Sequence, residues 1–121
     1  MEVQAKKTQS YIQVCSIKDL PEGAYKTFDY DYDGYTYQGI VINYKSDMYA
    51  YLNICPHAGI PLDTSEKGLF NADGSFLICR KHWALFEPNT GKCVSGPCPI
   101  APLMKFEVCT HEGMVYVSPK F

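Results

Sequence analysis

Apolar and polar residues alternate with a period of two along most of the chain. β-Branched and aromatic side chains carry the alternation, which predicts a mostly β protein. The stretches concerned are 11–15, 24–30, 35–44, 48–54, 75–79, 105–110 and 114–118, with turn signals at Asp33-Gly34, Asp73-Gly74 and Glu112-Gly113. No stretch has the 3.6-residue apolar stripe of a long amphipathic helix. The region 55–104 breaks the pattern, holding six of the eight prolines and four of the six cysteines between short apolar pieces. It reads as a small, loop-rich subdomain inserted into an antiparallel β framework built from both ends of the chain. The 121 residues are enough for one domain with a core and too few for two ordinary ones, so a single domain over 1–121 is expected.

The composition narrows the range of partners. With 46% hydrophobic residues and a formal net charge of -2, nothing draws the chain to nucleic acid or to an anionic membrane. Residues 1–10 include Lys6 and Lys7 but no apolar run behind them, so neither a secretory signal nor a membrane anchor is predicted. A cytoplasmic location is expected, and in a reducing compartment clustered Cys and His point to metal binding rather than to a disulfide scaffold.

One metal motif fails on inspection. Asp29, Asp31, Asp33 and Gly34 match the opening of an EF-hand loop, but the twelfth position, which must supply a bidentate Glu, is Ile40. The flanks read as strands, and an acidic edge strand entering an Asp-Gly hairpin turn explains the same residues. His111, beside Glu112-Gly113, reads as a solvated turn histidine. Cys15 and Cys109 fall in strand patterns and read as small buried apolar residues, whereas Cys93 and Cys98 are candidates either for free thiols or for a bridge with each other.

The remaining constellation carries chemistry. Cys55-Pro56-His57 and Cys79-Arg80-Lys81-His82 each offer one thiolate and one imidazole at short spacing, so two tight loops can each present a mixed pair to one site. A conventional zinc finger pairs like with like, although tetrahedral zinc accepts two Cys and two His in any order and a structural zinc module stays a competing reading. The pattern of Cys55-x-His57, Cys79-x-x-His82, Thr90-Gly91 and Gly96-Pro97-Cys98-Pro99 resembles the Rieske ferredoxin family. In a Rieske centre two Cys hold one iron and two His the other, which suits loops that each supply one of both kinds.

The resemblance implies an all-β Rieske fold, an antiparallel sandwich or barrel base carrying a cluster-binding subdomain, and one Rieske-type 2Fe-2S cluster held by Cys55, His57, Cys79 and His82. It also implies a proline-rich cover over the cluster at 96–99. Departures are visible as well. The spacer 58–78 is longer than is common in bacterial members, with the excess expected at 67–74. The residues that would be extra, disulfide-forming Cys in bc-type relatives are Ile60 and Lys81. Trp83 stands where relatives often have Gly, either shielding His82 or contributing to a docking surface.

No catalytic residue is assigned. With His57 and His82 committed, only His111 remains for the two-His-one-carboxylate iron of a Rieske oxygenase, and no Gly-x-Gly-x-x-Gly element offers a nicotinamide or flavin site. The expected function is soluble one-electron transport from a flavin-dependent NAD(P)H reductase to a terminal oxygenase, with the small subunit of an assimilatory nitrite reductase as the alternative within the same fold. Arg80 and Lys81 would favour an acidic partner. High-potential relatives carry Ser and Tyr two and four residues after the second His; here these are Ala84 and Phe86, which donate no hydrogen bond, so a potential near the lower end of the Rieske range is expected.

Overall fold

A computed structural model describes residues 11–56, 59, 61–62, 68–79, 83–96 and 101–119. Its strands are β1 (Ile12–Ser16), β2 (Tyr25–Tyr32), β3 (Tyr35–Tyr44), β4 (Asp47–Leu52), β5 (Leu77–Cys79), β6 (Ala84–Phe86), β7 (Cys93–Ser95), β8 (Lys105–His111) and β9 (Met114–Ser118). The one helical piece among the described residues is a 3-10 turn at Ile17–Asp19. The strands make two sheets with antiparallel pairing throughout. One has six strands in the order β1-β9-β8-β4-β3-β2, and the other has three in the order β5-β6-β7. The edge strands β1 and β2 of the larger sheet come back into contact, so that sheet curls towards a barrel. The fold is all-β, as expected.

The alternation seen in the sequence decides which way each side chain faces. On β3, Ile40 and Ile42 point into one apolar cluster and Val41 into another; on β4, Tyr51 and Ala50 divide in the same way. These central strands are therefore buried on both faces, which is why 39–43 read as a nearly continuous apolar run. One cluster, with Leu20, Phe28, Tyr30, Phe106, Val115 and Val117, fills the curl of the large sheet. The other joins Ile40, Ile42 and Tyr51 to Leu62, Leu69, Leu77, Phe86 and Leu103, and so fastens the small sheet to the large one.

Asp33-Gly34 and Glu112-Gly113 are tight turns with both residues in the left-handed region, the geometry that matches strand twist in a two-residue hairpin. β2 alternates buried Phe28 and Tyr30 with exposed Asp29 and Asp31 at the sheet edge, and the Asp31 carboxylate accepts a hydrogen bond from Thr36 at 2.7 Å. The acidic stretch is thus a hairpin edge and not a calcium loop. A third hairpin turn, Lys45-Ser46, has no glycine, yet both residues have positive φ. Asn43 compensates: its Oδ1 accepts the Ser46 N–H at 3.1 Å while its Nδ2 donates to the Leu20 carbonyl at 2.8 Å.

Three expectations need correction. β6 and β7, three residues each, were not among the predicted strands, because so short a segment shows hardly one period of alternation. The strand expected over 75–79 begins only at Leu77, since the Asn71 side chain takes up the Phe76 N–H and holds 71–76 as a turn. Cys15 is only partly buried and Cys109 is exposed, so neither is a core residue; β8 turns Cys109 outwards.

Candidate metal centre

Cys55 follows β4 and Cys79 ends β5, so the two sheets each bring one thiol to the junction between them. Both are buried, at 0% and 1% exposure, in the same apolar cluster, and neither is disulfide-bonded. Thiolates in such surroundings are costly unless a cation neutralises them, so this donor set fits a soft metal centre. Among the described residues no three His, Cys, Asp or Glu converge on one point. His57 and His82 lie outside the described residues, as do Arg80, Lys81 and Pro97, Cys98 and Pro99.

The two loops start alike. The Gly59 N–H donates to the Cys55 carbonyl at 2.8 Å, and the Trp83 N–H donates to the Cys79 carbonyl at 2.6 Å. Each is a closed turn from a cysteine to the residue four positions on, and both closing residues are left-handed, with φ of 70° at Gly59 and 60° at Trp83. The chain therefore folds back immediately after each cysteine.

Buried polar groups hold these loops in place. Asn53, 1% exposed, donates from Nδ2 to Gln38 Oε1 at 2.7 Å and accepts the Leu62 N–H on Oδ1 at 2.9 Å, so it pins the start and the far side of the first loop to β3. The hydroxyl of Tyr51 donates to the Pro88 carbonyl at 2.8 Å, tying β4 to the β6–β7 hairpin. Burial, reinforced by the neighbouring Tyr49 and Glu87, raises the Tyr51 pKa far above the usual phenol range. Gly96 makes a close crossing: a Cβ there would meet the Ala84 Cα at 2.7 Å and the Trp83 carbonyl oxygen at 3.0 Å, and its φ is 104°. The chain leaving β7 can pass over the second loop only because that residue has no side chain.

Asn53 and Tyr51 are the site-building residues that the sequence reading missed, and neither carried a local signal. Gly96 was already part of the Gly-Pro-Cys-Pro motif, though not for this crossing. Ala84 and Phe86 are buried beside Cys79 in the shared cluster, and neither side chain offers a hydrogen-bond donor. Cys93 is disulfide-bonded, which removes the free-thiol reading for that residue; its partner lies outside the described residues. His111 is exposed at the end of β8, with Nε2 3.7 Å from the Glu112 carboxylate, as expected of a solvated turn residue.

Comparison with known proteins agrees with this arrangement. The family profile described as Rieske [2Fe-2S] domain matches residues 10–107. The ferredoxin component of the alkene monooxygenase system of Xanthobacter autotrophicus strain Py2 is 28% identical over 108 residues, covering 89% of this chain and 80% of that one. Among solved structures, the ferredoxin of carbazole 1,9a-dioxygenase from Nocardioides aromaticivorans IC177 superposes with a TM-score of 0.70 at 27% identity, covering 91% of this chain and 98% of the other. A complex of reduced oxygenase and oxidized ferredoxin in carbazole 1,9a-dioxygenase matches with a TM-score of 0.70 at 29% identity, covering 89% and 92%. Since the profile spans most of the fold just described, the chain belongs to the Rieske [2Fe-2S] domain family, and its cofactor is a Rieske-type 2Fe-2S cluster.

Proposed function

We propose that this chain is a one-electron carrier whose cluster is ligated by Cys55, His57, Cys79 and His82. The observation that carries the reading is the pair of buried, unbridged cysteines in one apolar cluster, each opening a loop closed by the same turn. With Cys55 and Cys79 on one iron, His57 and His82 complete the other, one ligand of each kind from each loop. When bound, such a cluster takes up and gives back single electrons; the protein's part is to hold it, keep water from it and present one side to partners. Asn53, Tyr51 and Gly96 do the holding, and the apolar cluster behind the cysteines excludes water. We take 1–121 as a single domain in which 55–104 is the cluster-binding subdomain.

The proposed donor is a flavin-dependent NAD(P)H reductase and the proposed acceptor a terminal oxygenase, in the cytoplasm. The oxygenase side is supported by relatives that are ferredoxin components of oxygenase systems, one of them solved with its oxygenase. No helix among the described residues is long and apolar enough to cross a membrane. Metal and sulfide analysis of protein purified without oxygen tests the reading: two irons and two labile sulfides per chain, with a red-brown colour, are expected. A colourless protein with one zinc per chain would overturn it.

A further inference from the structure

Trp83 is the one tryptophan in the chain, and three features set it apart. Its φ is 60°, in the left-handed region that bulky residues avoid. Among the described residues the other non-glycine residues with positive φ, Asp33, Lys45, Ser46 and Glu112, all occupy two-residue hairpin turns. In the first cysteine loop the matching left-handed position is Gly59, which adopts that conformation without strain. Nor does packing recompense Trp83, because its side chain is 64% exposed. A strained backbone that presents a large apolar surface to water serves neither the turn nor the core.

A second irregularity lies close by. Along β6–β7 the register jumps, with Leu85 opposite Ser95 and Phe86 opposite Cys93, so Val94 is the extra residue of a bulge. Val94 is 41% exposed. Two residues further on, Gly96 crosses directly over the Trp83 carbonyl and the Ala84 backbone. Both exposed apolar residues therefore border the same crossing, next to the loop that begins at Cys79. The charge pattern points the same way. Residues 77–104 hold Arg80, Lys81 and Lys92 against Glu87 alone, a net of +2, whereas the other eight cations and twelve carboxylates give the remainder -4.

We propose that Trp83 is the specificity-determining anchor of the acceptor contact: it inserts into an apolar pocket, rimmed by carboxylates, on the oxygenase component, with Val94 at its edge. Trp83 is covalently next to His82, about 3.8 Å between Cα atoms, so an acceptor that approaches that imidazole must accommodate the indole. Aromatic anchors of this kind dominate interface energetics, and a stretch of net positive charge suits an acidic rim. The inference rests on the carrier reading above.

The test uses the cluster-loaded full chain, reduced with dithionite and mixed with the oxygenase component of the alkene monooxygenase or of the carbazole 1,9a-dioxygenase while cluster reoxidation is followed. Trp83→Gly removes both the indole and the strain. Its visible spectrum, potential and melting temperature should match the wild type or, for melting, exceed it, while half-maximal reoxidation should need about tenfold more oxygenase. Trp83→Phe, which keeps an aromatic side chain, should stay within about threefold of wild type. Unchanged oxygenase dependence in Trp83→Gly overturns the proposal. So does a lower melting temperature or a shifted spectrum in both variants, which would make Trp83 a packing residue. A wild-type protein that reduces neither oxygenase would instead remove the acceptor on which the proposal rests, and a cluster that dithionite cannot reduce would overturn the carrier reading; both differ from a wild type that transfers electrons and variants that transfer equally well.

Discussion

Phe86 has no exposed surface and packs in the cluster that contains Cys55 and Cys79, two residues beyond the equally buried Ala84. If these positions face the iron-sulfur cluster, a hydroxyl at either could donate to a ligand sulfur or a bridging sulfide. Such donation stabilises the reduced, more negative state, so its absence from both side chains predicts a low potential. The expected midpoint lies near the bottom of the family range of about -150 to +300 mV, and potentiometric titration measures it. Ala84→Ser with Phe86→Tyr should move it upwards; an unchanged midpoint would mean that these positions do not face the cluster. The ligands themselves allow a simpler experiment. Cys55→Ser or Cys79→Ser should abolish two-iron assembly and lower the thermal stability of the purified chain, because metal binding and folding are coupled in such a loop. Iron content at wild-type level in either variant would refute the ligand assignment.

Between residues and the whole fold, the links are single polar contacts between elements. Asn53 connects β3 to the first loop through Gln38 and Leu62, and Asn53→Ala leaves the buried Leu62 N–H without its acceptor. The cost is about 1–3 kcal/mol. Chemical denaturation should register it as a lower midpoint, and cluster retention on dilution should fall with it; a variant as stable as wild type would show that water replaces the amide. Tyr51 and Tyr30 make a related point about pH. Burial raises both phenols, Tyr30 up to about 12 with the nearby Tyr37 adding to the effect and Tyr51 further still. The folded chain thus keeps these protons at a pH where the unfolded chain, near 10, has lost them. Stability from these groups is intact below about pH 10 and is lost as pH rises towards the folded values, since the unfolded state then binds fewer protons. Melting curves between pH 8 and 11 should show the loss begin near the upper end, and Tyr51→Phe should weaken that dependence while forfeiting the bond to Pro88.

For the molecule as a whole, legibility in the sequence followed the length scale of each signal. β3 repeats its alternation over ten residues and was read to the residue, while β6 and β7, at three residues each, exist because β5 and the junction core recruit them. The paired Cys-x-His and Cys-x-x-His spacing is local and was visible; the bond from Asn53 to Leu62, the Tyr51 hydroxyl under the hairpin and the outward face of Cys109 depend on partners brought together only by the fold. Charge is the property that shows best at this scale, for the stretch from β5 to 104 is basic and the remainder acidic. If that asymmetry steers partners, Arg80→Ala with Lys81→Ala should slow bimolecular electron transfer by about tenfold at low ionic strength and by less than about twofold at 0.5 M salt, because exposed charges are screened over roughly 10 Å at 0.1 M and over less at higher salt. Lys18→Ala with Lys26→Ala removes the same charge from the exposed 3-10 turn and β2, outside the basic stretch, and supplies the control. Equal slowing by the two double variants would reduce the effect to net charge, and equal slowing at both salt concentrations would assign it to lost contacts in place of steering. Slowing confined to Arg80 and Lys81 and erased by salt is the outcome that steering by the basic stretch requires.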